Sequence, residues 1–159
     1  MNMIAIDPGA SGGIAWMHDE PAGVEAVAMP VGMTAQADLL RSLSAQGIRK
    51  AVIERVGGYM PGNSGPAACK FARHCGHIEA ACYAYGIAVE YVAPQTWMKS
   101  IGALPKDKGE RKRAIKEAMA RRYPYLDVTL KTADALGIMA WAEKKANDKA
   151  DFCERSAAE

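Results

Sequence analysis

The sequence predicts an α/β fold with a mixed five-stranded sheet, an antiparallel meander of three strands followed by two parallel strands, flanked by helices. Three observations carry this. The chain opens on two short apolar runs joined by a small-residue turn and followed by a third, alternating run. Two more apolar runs follow, each preceded by a stretch with helical spacing, as parallel strands require for their crossovers. Finally, a 50% hydrophobic content in 159 residues supplies one packed core and leaves two full domains cramped.

The first strand is Met3-Ile4-Ala5-Ile6, which delivers Asp7 into the turn Pro8-Gly9-Ala10-Ser11-Gly12-Gly13 before Ile14-Ala15-Trp16 resumes as the second strand. Residues 23–28 alternate as the third strand, and Pro30-Val31-Gly32 breaks it. Thr34 is placed to cap a helix over 35–46 with Leu39, Leu40 and Leu43 inward and Gly47 ending it. Lys50-Ala51-Val52-Ile53-Glu54 repeats the design of the first strand, an apolar run ending in an acid. A Gly/Pro-rich loop spans Gly57 to Gly65. Residues 66–85 read as a long, largely buried helix whose small residues permit close packing, also against a copy of itself. Residues 88–92 are the fifth strand, and Thr96 caps a short helix starting at Trp97. A basic helix covers 108–122, with Ala114, Ile115, Ala118 and Met119 on one face. After a connector, a last helix runs over about 132–146, with Leu136, Met139, Ala140 and Trp141 inward. Residues 1–147 thus read as one domain and 148–159 as a polar, frayed tail.

The formal net charge is only +2, but it is unevenly placed: residues 99–122 hold nine Lys or Arg against three acids, leaving the rest of the chain acidic. A basic face on an acidic body fits a protein that touches nucleic acid on one side. Nothing approaches the roughly 20 apolar residues of a membrane span, and the first strand begins without a leader pattern, so a soluble, cytoplasmic protein is expected. Cys69, Cys75, Cys82 and Cys153 form no Cys-x-x-Cys pair and read as reduced thiols. With His74 and His77 a zinc site is conceivable, but the spacing spreads the ligands around the helix instead of sharing a face.

Three acids stand at the edges of apolar elements: Asp7, Glu54 and Asp134, the last opening the final helix. Acids avoid such neighbours unless a cation compensates them. If the first and fourth strands are adjacent and parallel, Asp7 and Glu54 emerge at one sheet end, and Asp134 joins them when the last helix packs across it. Three such carboxylates suit Mg²⁺, and two ions roughly 4 Å apart suit in-line displacement at a phosphodiester. Locally, each acid also has a plainer reading: Asp7 as a turn acceptor, Asp134 as a first-turn acid favoured by the helix dipole.

In this order and spacing, Ile4-Ala5-Ile6-Asp7-Pro8-Gly9, Ala51-Val52-Ile53-Glu54-Arg55-Val56 and Thr132-Ala133-Asp134-Ala135-Leu136-Gly137 resemble the RuvC family of Holliday junction resolvases, in its compact phage form. Pro94-Gln95-Thr96-Trp97 followed by Lys99 and the basic helix extends the resemblance over roughly residues 3–142. It implies an RNase H-like fold and a homodimer, for which helix 66–85 is the candidate interface. It also implies Mg²⁺ or Mn²⁺, with two ions per site, and paired nicks in opposing strands of a four-way DNA junction. Asp7, Glu54 and Asp134 would be the metal ligands. Lys99, Lys106, Lys108, Arg111 and Lys112 would contact DNA, and Tyr59 is nearest to an aromatic that probes bases in some members. The family often has an Asp or His three residues before the final Asp; here it is Lys131, a non-ligand while protonated, suited to a catalytic role on phosphate charge or to none. Alternative readings are an RNase H-fold nuclease acting on RNA–DNA hybrids or forks, and a junction-binding module with impaired catalysis.

Overall fold

A computed structural model describes residues 2–19, 22–57 and 64–157; for 22 and 151–157 the backbone alone is described. The elements run β1 (Met3–Asp7), β2 (Gly13–Asp19), β3 (Ala22–Ala28), α1 (Met33–Ala45), β4 (Lys50–Glu54), α2 (Gly65–Ala84), β5 (Ala88–Val92), α3 (Pro94–Ile101), α4 (Lys108–Arg122) and α5 (Ala133–Ala157). The strands form one sheet in the order β3-β2-β1-β4-β5. β1 pairs antiparallel with β2 and parallel with β4, β2 pairs antiparallel with β3, and β4 pairs parallel with β5. The expected meander followed by two parallel strands is the observed topology.

β1 is central and covered on both faces, so its period-two side chains divide between two cores. Met3 and Ala5 join the core under α3, α4 and α5, with Val52, Trp97, Ile115, Leu136 and Met139. Ile4 and Ile6 join the opposite core under α1 and α2, with Ile53, Leu40, Leu43 and Ile78. Ile4, Ile6 and Ile14 are fully buried, each contributing about 1.5–3 kcal/mol through the apolar surface it removes from water. The residues facing α5 are small, Ala5, Ala15 and Val52 against Ala133, Ala135 and Ala140, and let the helix lie close on the sheet.

Four local expectations are corrected. α1 starts before Thr34, because Gly32 at φ 88° turns the chain in without a side-chain cap, and Gln36 Nε2 donates to Pro30 O instead. α3 starts at Pro94, whose fixed φ and missing N–H suit a first helical position, so Thr96 lies inside the helix and does not cap it. α2 is not largely buried: within it only Ile78 and Cys82 are buried among the described residues, since it meets α1 and β5 along one stripe. α5 continues to Ala157, because nothing in the polar segment after 146 breaks a helix.

Candidate active site

The strand alternation that fills the two cores also aims the acids. Asp7 follows Met3 and Ala5 on the α5 side of β1, and Glu54 follows Val52 on the same side of β4. With Ile4↔Ala51 and Ile6↔Ile53 in parallel register, both carboxylates emerge at the carboxyl end of the central strand pair. α5 crosses that end, and Asp134 in its first turn completes the group. The turn after Asp7 depends on glycine for space. A Cβ on Gly12 would stand 2.1 Å from the Asp7 carbonyl oxygen, and one on Gly13 would stand 2.6 Å from the Lys131 carbonyl oxygen.

Each acid is harder to ionise than usual, chiefly because it is buried. Asp7 is pushed up to about 8 by burial and by the nearby charges of Glu54 and Asp134, against the pull of Lys112. Glu54 is raised by burial and by Asp134, although the buried Trp97 indole donates to its Oε1 at 2.8 Å and Lys112 opposes the rise. Asp134 is raised by burial, with Lys112 and Arg111 opposing. Lys112 Nζ is 3.7 Å from Asp134 Oδ2. The three carboxylates therefore repel one another, with Lys112 as their shared partial counterion and Arg111 acting on Asp134 alone. Among the described residues, however, no three acid, histidine or cysteine side chains form a ready metal cage. The donor set, all-oxygen, half-buried and short of positive charge, fits a hard divalent cation.

The remaining expected residues scatter. Lys131 is exposed; its backbone abuts Gly13, its N–H donates to Thr129 Oγ1, and it does not figure among the charges acting on the three acids. Lys99 is exposed on α3, beside a cleft against α5. Lys106 and Lys108 are exposed at the start of α4, where Asp107 caps the helix by accepting from Glu110 N–H. Arg111 is half-buried and donates to the Lys106 carbonyl. Lys112 lies against the acids and not out on an open basic face. Tyr59 lies outside the described residues. Two partners went unread from the sequence: Trp97 as the donor to Glu54, and Lys112 as the counterion. A buried tryptophan must place its one N–H on an acceptor, and that was the available signal for the first. The second depends on how α4 is rotated against α5, which Ile115 and Met119 decide by packing.

No protein-family model and no curated protein sequence matches the chain. Solved structures do. The RuvC of T. thermophilus in complex with a Holliday junction substrate aligns with a TM-score of 0.61 at 14% identity, over 92% of this chain and 96% of that one. A second Thermus thermophilus RuvC structure gives 0.55 at 13% identity, over 94% and 97%. The fowlpox virus Holliday junction resolvase gives 0.52 at 13% identity, over 93% and 99%. This likeness establishes the fold as the RNase H-like α/β fold that RuvC-type resolvases share, spanning nearly the whole of each chain.

Proposed function

We propose that this protein is a structure-selective, metal-dependent endonuclease that resolves four-way (Holliday) or other branched DNA junctions by paired phosphodiester nicks. The observation that carries the reading is the meeting of Asp7, Glu54 and Asp134, from three separate elements, at one sheet end in a fold whose solved relatives are junction resolvases. Asp7, Glu54 and Asp134 would hold Mg²⁺ or Mn²⁺, in two ions per site, which when bound supplies an activated water and stabilises the leaving oxygen.

The protein's own groups do the rest. Trp97 holds Glu54 in one orientation through its indole N–H. Lys112, with Arg111 beside it, partly neutralises the acids. Lys99, Lys106, Lys108 and Arg111 supply a basic flank for the DNA backbone, and such contacts position the substrate without reading its sequence. Selectivity then rests on branched shape, and a homodimer places two equivalent sites on two strands of the junction. Lys131 is a solvated connector residue in this reading, so the three acids are the whole ligand set.

Asp7→Asn tests the assignment. Labelled four-way junction, linear duplex and RNA–DNA hybrid are each incubated with Mg²⁺, Mn²⁺ or EDTA. Symmetric junction nicks with either metal, absent in EDTA and reduced at least 10²-fold by Asp7→Asn, are expected. Cutting confined to the hybrid would replace the substrate assignment, and tight junction binding without cleavage would make the protein a binding module.

A further inference from the structure

We propose that the cleft between α3 and α5 binds the phosphodiester backbone of a DNA arm leaving the acid cluster; this rests on the nuclease reading above. The cleft has a volume of about 390 Å³ and is lined by Thr96, Lys99 and Ser100 of α3 and by Trp141, Lys144, Lys145 and Asp148 of α5. Three lysines face one acid there, and the lysines are not equivalent. Lys145 is committed: it pairs with Glu90 and lies over the Trp141 ring at 5.1 Å. Lys99 and Lys144 are exposed and make no ion pair among the described residues.

A second cleft, of about 530 Å³, sits between the β2–β3 hairpin and the α4–α5 pair. Its Arg122 is held by Glu143 at 2.6 Å, and Tyr123 donates to the same carboxylate at 3.0 Å, so its charge is satisfied within the protein. The α3–α5 cleft instead keeps two lysines, Lys99 and Lys144, without an ion pair among the described residues, against one acid, Asp148. The chemistry favours phosphate over a base. Lysines act as point charges suited to a backbone, Lys145 covers the indole face that a base would stack on, and the Ser100 hydroxyl is spent on the Trp97 carbonyl at 2.6 Å.

Position fits an arm and not the scissile phosphate. Lys144 lies ten residues after Asp134 on one helix, about 15 Å away at 1.5 Å per residue. That is the axial length of about four to five base pairs at 3.4 Å each. α3 links the two places, since Trp97 on one side bonds Glu54 while Thr96 and Lys99 on the other line the cleft.

The test is fluorescence anisotropy in EDTA with four-way junctions whose opposing arms, each pair in turn, are trimmed to about four base pairs or extended to about twelve. The wild type should bind the long-armed junction about tenfold more tightly than the trimmed one. Lys144→Glu and Lys144→Gln, with melting temperatures matching the wild type, should lose most of that gain, and the glutamine variant should lower the salt slope by about one per subunit, about two for the dimer. Variants equal to the wild type at both arm lengths, or weakened equally at both, overturn the cleft and leave the nuclease reading standing. A wild type that binds no branched DNA at any arm length overturns both.

Discussion

Asp7 ends the central strand with its carboxyl pushed from the ordinary 3.8 up to about 8, and that displacement has a sign. Across this interval the folded chain keeps a proton that the unfolded chain has lost, so metal-free stability falls as pH rises from about 4 to 8 and levels off above. Glu54 and Asp134, both raised, act in the same direction. His74, lowered by burial and by His77, acts in the opposite direction below its ordinary value of 6.5. The quantity to measure is therefore the difference between the wild type and Asp7→Asn, melted in chelator at pH 5 and pH 8.5. The variant should gain on the wild type as pH rises, with each kcal/mol appearing as about 2–4 °C in a chain of this size. Mn²⁺ should bind the wild type more tightly as pH rises through 8, because the metal displaces the proton. A difference that stays flat with pH would mean that Asp7 is ionised throughout the range and that its burial is not costly.

Elements fix whether the acids keep their geometry, and the contact between α3 and α5 is a tight place at which to disturb it. A Cβ on Gly137 would stand 2.6 Å from Trp97 Cζ3 and 3.3 Å from Ile101 Cδ1, whereas one on Gly76, also within a helix, would meet nothing within 4 Å. Gly137→Ala should destabilise by about 1–3 kcal/mol through overpacking, displace the indole from Glu54 and weaken Mn²⁺ binding. Gly76→Ala should stabilise the single subunit by up to about 1 kcal/mol through helix propensity. Thermal melting together with tryptophan fluorescence checks both, and a Gly137→Ala protein as stable as the wild type, with unchanged emission, would show that Trp97 has room to spare. The same contact marks how far the sequence was legible. Strand ends carrying Asp7 and Glu54 were readable because a period of two and flanking glycines are local signals, and α4 was readable from its apolar spacing. The Trp97–Glu54 bond joins residues 43 apart and depends on where α3 docks. The starts of α1 and α3 were misplaced because a glycine at positive φ and a proline supplied what a threonine cap was expected to supply. The exposure of α2 is not legible in its sequence, because small residues look alike whether they face a core or solvent.

For the whole molecule, the proposed paired nicking requires two sites held together, and the exposed surface of α2 is where a second copy would pack. Cys69, Ala72, Gly76, Ala80 and Tyr83 recur at intervals of three and four residues, and only Tyr83 among these exposed or half-exposed positions is bulky, so one face of a helix about 30 Å long allows close approach of a second helix. A two-fold dimer packed there would present two acid clusters to the two like strands of an open junction, and the interface would be the same patch on both copies. Gly76→Glu separates assembly from folding: the position has open space, and glutamate is a better helix former than glycine, so the monomer should be no less stable. Two carboxylates facing each other across the axis would repel and break the dimer. Light scattering should then report a monomer for the variant and a dimer for the wild type. On a supercoiled plasmid carrying an extruded cruciform, coupled nicking by the wild type should give linear product within one binding event. The monomer should give nicked circles, because the first cut releases the superhelical stress that maintains the cruciform before a second subunit arrives. A wild type that is monomeric when bound to a junction, or a Gly76→Glu protein that still yields linear product, would show that α2 does not couple the two cuts.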